Sequence, residues 1–176
     1  CDSDLCGTPN TAVLGGNAYE GLVDSGFLIA NVIEATTDDT LDSFAYDLTN
    51  TVSSSCKARF ALLSTSAVSA STTTTWDVIW TSGPITVDQT AVTDSGVVGL
   101  PVESGLFYGL AVAANCELTL TFDPTTTNTT GGFGTGTGYF GLEIDPSFWS
   151  SSTVDAEDYF SEYGAMLYQE VIHTDL

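Results

Sequence analysis

Basic side chains are almost absent from this chain. Its 176 residues include 23 Asp and Glu but only Lys57, Arg59 and one histidine, His173, which leaves a formal net charge of −21. A polyanion such as nucleic acid, or an anionic membrane surface, is repelled by this charge at every approach. The composition therefore argues against nucleic-acid binding, and it favours metal cations or basic surfaces as partners. A solvated acidic surface that keeps the protein soluble is the plainest interpretation.

Long apolar runs are also missing. The longest, residues 27–33 and 106–114, are too short and too interrupted to cross a bilayer, so no transmembrane segment is expected. The chain starts at Cys1 and not at Met, as expected of a mature exported protein. Cys1 followed by Asp2 resembles the mature end of a bacterial lipoprotein, in which the thiol carries a lipid anchor.

The four cysteines lack the Cys-x-x-Cys pairs and the histidines that a structural zinc site needs. Disulfides are predicted instead, and they imply an oxidising compartment. Cys56 and Cys116 each begin a strand-like run, CKARFALL and CELTLTF, so a bridge between two adjacent or facing strands is predicted. Cys1 and Cys6 would then close a small terminal loop. If Cys1 carries a lipid, Cys6 is a free thiol or an intermolecular link.

Strong helix formers are scarce, because Thr, Ser, Val and Gly saturate the sequence. Apolar and polar residues alternate with a period of two, which indicates half-buried strands. In residues 75–81 the alternation places Trp76, Val78 and Trp80 on one face. About nine strands are predicted. They are residues 26–35, 41–48, 56–63, 75–81, 85–92, 105–113, 116–122, 138–144 and 163–172.

The predicted fold is all-β, an antiparallel, jelly-roll-like β-sandwich. At most one short helix is expected, near residues 153–163, with Ser152 or Thr153 as its cap. Two low-complexity segments, residues 64–75 and 125–138, are interpreted as loops.

The chain shows no composition break and no internal repeat. Residues 26–176 are predicted to form the sandwich, and residues 1–25 an N-terminal arm. The arm contains a Gly15-Gly16 bend and short apolar patches at residues 12–14 and 21–23. Such an arm either adds as a strand to the sheet edge of a neighbouring copy or folds back on its own sandwich.

Catalytic motifs are weak. Asp-Ser-Gly occurs at residues 24–26 and 94–96, and aspartic proteases pair two such motifs. Here the flanking sequences do not repeat, so turns are the favoured interpretation. His173 lies close to the C-terminus with no Gly-x-Ser-x-Gly motif in the chain, and a histidine in such a place is usually structural or solvated. We expect no enzyme activity and assign no catalytic residue.

Acidic clusters are candidate calcium sites, because calcium prefers several oxygen ligands. None matches the EF-hand loop, and solvated turns are the alternative. The clusters are Asp2 and Asp4; Asp38, Asp39 and Asp42; and Asp155, Glu157 and Asp158. No other cofactor is expected. Asn128-Thr129-Thr130 fits the acceptor pattern for N-glycosylation.

Alternating strands, a Thr- and Ser-rich acidic composition and disulfide-type cysteines together resemble the jelly-roll sandwiches that prokaryotes export as surface modules and appendage subunits. The resemblance covers residues 26–172 and rests on the general pattern, so it assigns no functional residue. It implies a structural or binding role outside the cell or on its surface.

Two functions are preferred over a third, a carbohydrate-active enzyme or sugar-binding domain. The first is a structural subunit of an extracellular filament or surface layer, a homopolymer that assembles through a terminal arm or strand. The second is a lipid-anchored or secreted surface module that binds carbohydrate or mediates calcium-dependent adhesion.

Overall fold

The computed structural model describes residues 9–16, 19–69, 72–127, 130–131, 133–144, 152–156 and 165–175. In these ranges the chain forms sixteen β-strands and no helix. The strands are β1 (Asn10–Leu14), β2 (Tyr19–Val23), β3 (Phe27–Ala35), β4 (Asp39–Tyr46), β5 (Lys57–Thr65), β6 (Thr74–Thr81), β7 (Ile85–Thr86), β8 (Thr93–Asp94), β9 (Leu100–Val102), β10 (Phe107–Ala114), β11 (Leu118–Thr127), β12 (Thr130–Gly131), β13 (Gly134–Glu143), β14 (Thr153–Ala156), β15 (Ala165–Leu167) and β16 (Gln169–Asp175).

The strands form three antiparallel sheets. The large sheet has the order β12-β13-β3-β10-β5-β6-β14, with β7 beside β5. The five-stranded sheet has the order β1-β16-β4-β8, with β9 beside β4, and the three-stranded sheet has the order β15-β11-β2. This arrangement confirms the all-β antiparallel prediction and is consistent with a β-sandwich.

Both faces of the large sheet are buried. On one face, Ile29 and Ile33 of β3 belong to the main core, which also contains residues of the two smaller sheets. On the other face, Ala30 and Val32 belong to a second core together with Trp76 of β6. A strand buried on two faces needs apolar residues at nearly every position, and this explains the almost uninterrupted run FLIANVIEA of β3.

The predicted disulfide between Cys56 and Cys116 is present, with the two Cα atoms 5.6 Å apart. Cys56 directly precedes β5 of the large sheet, and Cys116 lies two residues before β11 of the three-stranded sheet. The bridge therefore ties two different sheets together at the ends of their strands.

A polar link crosses the main core at Asn31, which is fully buried on β3. The Nδ2 atom of Asn31 donates to the Leu167 carbonyl at 2.9 Å and to Gln169 Oε1 at 3.1 Å, and its Oδ1 accepts from the Leu167 N–H at 3.0 Å. The Tyr46 hydroxyl accepts from the Asn31 N–H at 3.1 Å and donates to the Leu110 carbonyl. Burial raises the pKa of Tyr46. These bonds fix the junction of β15 and β16 against the centre of the large sheet.

The helix predicted near residues 153–163 is wrong over its described part. Residues 153–156 form β14, which extends the large sheet by pairing with β6, Val154 opposite Trp76. The β-branched side chains of Thr153 and Val154 favour a strand, and Ala156 enters the second core. The remainder of the predicted helix, residues 157–163, lies outside the described residues.

The predicted number of strands was too low because six strands lie outside the nine predicted segments and one predicted segment contains two strands. Residues 85–92 contain only the short strand β7, and β8 follows a turn in which the Asp88 carboxylate accepts from the Thr90 and Ala91 N–H groups. Residues 163–172 include β15 and part of β16, which belong to different sheets. A turn closed by side-chain hydrogen bonds ends a strand, although the amino-acid composition of the segment still resembles that of a strand.

The prediction of a loop over residues 125–138 is also wrong where the chain is described. β11 extends to Thr127, and β13 begins at Gly134. Phe133 is fully buried and contacts the Tyr108 ring edge-on, with the centroids 5.9 Å apart. A Cβ on Gly134 would lie 2.1 Å from the Glu34 carbonyl oxygen, so only glycine allows β13 to approach β3 this closely. Glycine here serves strand packing and not flexibility.

The described part of the N-terminal arm folds back on its own chain. β1 pairs with β16 along its whole length, from Asn10 opposite His173 to Leu14 opposite Gln169. β2 pairs with β11, from Tyr19 opposite Phe122 to Val23 opposite Leu118. Of the two arrangements considered for the arm, the chain adopts the intramolecular one for these strands.

Candidate functional site

The three aspartates of the 38–42 cluster make separate contacts. Asp38 Oδ1 accepts from the Ser104 N–H at 2.9 Å, and Asp42 Oδ2 accepts from the Thr174 hydroxyl at 2.6 Å. Asp39 is buried and turns to a different partner. In the described part of the chain, no three His, Cys, Asp or Glu residues gather where they could hold a metal ion. Calcium binding at this cluster stays a prediction.

Asp39 and His173 form a buried pair. His173 Nδ1 lies 2.9 Å from Asp39 Oδ2, and the side chains are 9% and 1% exposed. Asp39 Oδ1 also accepts from the Thr40 N–H at 2.6 Å. The contact joins β16 to β4, and its burial favours a structural role over a catalytic one. Sequence reasoning missed it because 134 residues separate the partners, although the alternation of β16 places His173 on the face of the buried Val171.

The second calcium candidate is described only at Asp155. Its Oδ1 accepts from the Thr75 hydroxyl at 2.7 Å, across the pairing of β14 and β6. The other predicted site residues lie outside the described residues. They are Glu157 and Asp158 of the same cluster, Asp2 and Asp4, the cysteines Cys1 and Cys6, and the glycosylation candidate Asn128.

Both Asp-Ser-Gly copies form turns, which agrees with the interpretation favoured from the sequence. In the first, the Asp24 carbonyl accepts from the Phe27 N–H at 3.2 Å, and Gly26 has a φ of +83°. In the second, Asp94 Oδ1 accepts from the Gly96 N–H at 2.7 Å, and Gly96 has a φ of +79°. Asp24 follows β2 of the three-stranded sheet, whereas Asp94 ends β8 of the five-stranded sheet.

The two tryptophans of β6 do not share a face, contrary to the prediction. The pairing register with β5 skips Ile79, and this bulge reverses the alternation. Trp76 is buried in the second core, stacked on Phe140 with centroids 5.2 Å apart. Trp80 packs against the main core, with its ring 6.3 Å from that of Phe44. The two indoles therefore cannot form a common platform for stacking a sugar.

The N-terminal strands β1 and β2 form a surface that combines sheet edges with exposed apolar side chains. β1 ends the five-stranded sheet and β2 ends the three-stranded sheet, so each has one edge that no described strand pairs with. Four of the seven exposed large hydrophobic residues in the described chain lie on these strands or at the start of β3. They are Val13 at 48%, Tyr19 at 57%, Leu22 at 67% and Phe27 at 39% exposure.

A groove of about 240 Å³ opens beside the exposed residues of β2. It is formed by the end of β2, the Asp24 turn, the start of β3 and one residue of β13. Its lining is apolar apart from Asp24: Leu22, Val23, Asp24, Phe27, Leu28, Ile29 and Gly141. We call Tyr19, Leu22, Phe27 and this groove the N-terminal apolar surface.

Comparisons of the chain with protein-family models, curated proteins and solved structures gave no match. None of the described residues forms a helix long and apolar enough to cross a membrane.

Proposed function

We propose that the protein is a structural subunit of an extracellular filament or surface layer, and that it associates with copies of itself through its N-terminal strands. The observation that carries the proposal is the coincidence of two unpaired strand edges with four exposed large apolar side chains in residues 13–27. An unpaired edge offers a row of backbone donors and acceptors to another strand. Clustered exposed apolar side chains add burial to that contact.

The sequence of the edges supports this role. Natural proteins protect edge strands with charges, proline or bulges, and β1 contains none of them in NTAVL. β2 carries a single charge, Glu20, in YEGLV. Because β1 and β2 already belong to sheets of their own chain, the proposed contact is addition to an edge and not exchange of the arm.

The net charge of −21 opposes association, because each copy repels the next. Dissolved cations weaken this repulsion, and a divalent ion shared between carboxylates does so most effectively. Calcium is therefore proposed as a promoter of assembly. A disulfide of the kind seen here persists in oxidising surroundings, which supports an extracellular location.

The test is the mass of the full-length protein as a function of concentration, measured by light scattering with calcium or with chelator. Val13→Glu and Leu22→Glu introduce a charge at the proposed edges, and each is expected to reduce the mass that the parent reaches by association. Val97→Glu is the matched control, because Val97 is 84% exposed and follows β8, which lies at the opposite end of the five-stranded sheet from β1. A parent that stays monomeric at high concentration with calcium would contradict the proposal, and so would equal loss of association in all three variants.

A further inference from the structure

We infer that one end of the sandwich is a self-complementary contact, in which Lys57 of one copy meets Asp24 of a second copy beside the apolar groove. The inference rests on the proposed self-association and identifies the surface that one copy offers to the next.

Hydrogen bonds place the two charges at the same end of the molecule. The Lys57 N–H donates to Asn115 Oδ1 at 3.0 Å, and the Lys57 carbonyl accepts from the Asn115 N–H at 3.2 Å. The carbonyl of Ala114, the residue before Asn115, accepts from the Gly26 N–H at 3.4 Å. The Asp24 turn and Lys57 therefore lie on the two sides of residues 114–115, at the end of β10. The groove begins at this turn, because Asp24 and Phe27 line it.

The charges of Lys57 and Asp24 suit contact with a second copy. Lys57 is exposed and is one of only two cationic residues among 176. Its ammonium donates to the Thr86 hydroxyl and forms no salt bridge with a described residue, so it retains donors for a carboxylate. Asp24 is exposed and likewise forms no salt bridge with the described residues. Two copies of so acidic a protein repel each other least where a lysine meets an aspartate.

A surface that carries both members of a pair is complementary to itself across a two-fold axis. Each contact then contains the Lys57–Asp24 pair twice, with residues 114–115 of each copy near the axis and the apolar groove beside each Asp24. An exposed ion pair contributes little affinity, so the charges fix the orientation while apolar burial supplies most of the binding. A single two-fold contact closes at a dimer. Growth into a filament then requires a second contact, for which the unpaired edge of β1 is available.

Charge exchange tests this contact. Lys57→Asp and Asp24→Lys each place like charges opposite one another, and each is expected to weaken association about tenfold in sedimentation equilibrium at low ionic strength. The double variant Lys57→Asp/Asp24→Lys restores the pair in reversed order and keeps the net charge at −21, so it should associate like the parent. Circular dichroism and thermal melting establish that each variant is folded.

Asp94→Lys is the matched control, because Asp94 occupies the other Asp-Ser-Gly turn and the change alters the net charge equally. It should not weaken association, whereas Asp24→Lys should. If the parent is monomeric, the proposed function and this inference both fail. If the parent associates and Leu22→Glu prevents it, but the double variant regains nothing over the single ones, only the inference is overturned.

Discussion

The Cys56–Cys116 bridge should contribute a large share of the stability of this fold. Its ends are separated by 60 residues, so opening it releases a long loop in the unfolded chain. The chain-entropy relation for a loop of that length gives about 4 kcal/mol at room temperature. A domain of this size is typically stable by roughly 5–15 kcal/mol, so loss of the bridge should remove a major part of that margin.

The bridge is best tested in a Cys1→Ser/Cys6→Ser background, where reduction affects no other cysteine pair. Urea unfolding of the oxidised and the reduced parent then measures the cross-link alone. The Cys56→Ala/Cys116→Ala variant should be less stable than the reduced parent by about 1 kcal/mol, because the Cys56 side chain is buried in the main core. That comparison separates the loss of side-chain packing from the loss of the covalent cross-link.

A loss below about 1 kcal/mol on reduction would refute the reasoning. It would mean that the unfolded chain is already restrained without the bridge. A change in the slope of free energy against urea on reduction would show that the unfolded state expands, as the entropic argument requires.

Three further predictions concern single positions. Gly134→Ala should destabilise the fold by about 1–3 kcal/mol or more in thermal melting, because its Cβ would meet a backbone oxygen at 2.1 Å, whereas Gly83→Ala, with open space around it, should change little. Asn31→Leu should cost about 1–3 kcal/mol in urea unfolding for each of the two Leu167 backbone groups left unpaired. Burial raises the pKa of Tyr46 above its unfolded value of about 10. The contribution of this hydroxyl to the free energy of unfolding should therefore be fully present below that pH and be lost as the pH rises above it. The loss of stability at high pH should be less steep in Tyr46→Phe.

Local patterns were sufficient to predict most of the long strands and several of their faces. In β11 the alternation predicts Leu118, Leu120 and Phe122 on one face, and all three lie in or against the main core. The disulfide followed from the same reasoning, since Cys56 and Cys116 each precede a strand. These features depend on neighbours in sequence or on the ends of strands, which the period-two pattern reveals directly.

Features that depend on distant partners could not be predicted. The bulge at Ile79 depends on how β6 pairs with β5, and the sequence of β6 alone contains no pattern that predicts it. The Asp39–His173 pair and the bonds of Asn31 to Leu167 join residues more than 130 positions apart. The acidic residues at 38–42 were grouped by proximity in sequence, yet their carboxylates bind three separate partners, Ser104, His173 and Thr174.

The distribution of buried surface restricts where a partner can bind. The large sheet has apolar residues buried on both faces, so neither face is open to a partner along its central strands. With 23 acidic residues, most of the remaining surface repels a second copy. In the described part of the chain, exposed large apolar side chains coincide with sheet edges at β1 and β2, and Lys57 is exposed near the Asp24 turn. Because the faces of the large sheet are buried, an acidic sandwich that assembles with itself is expected to use its edges and ends.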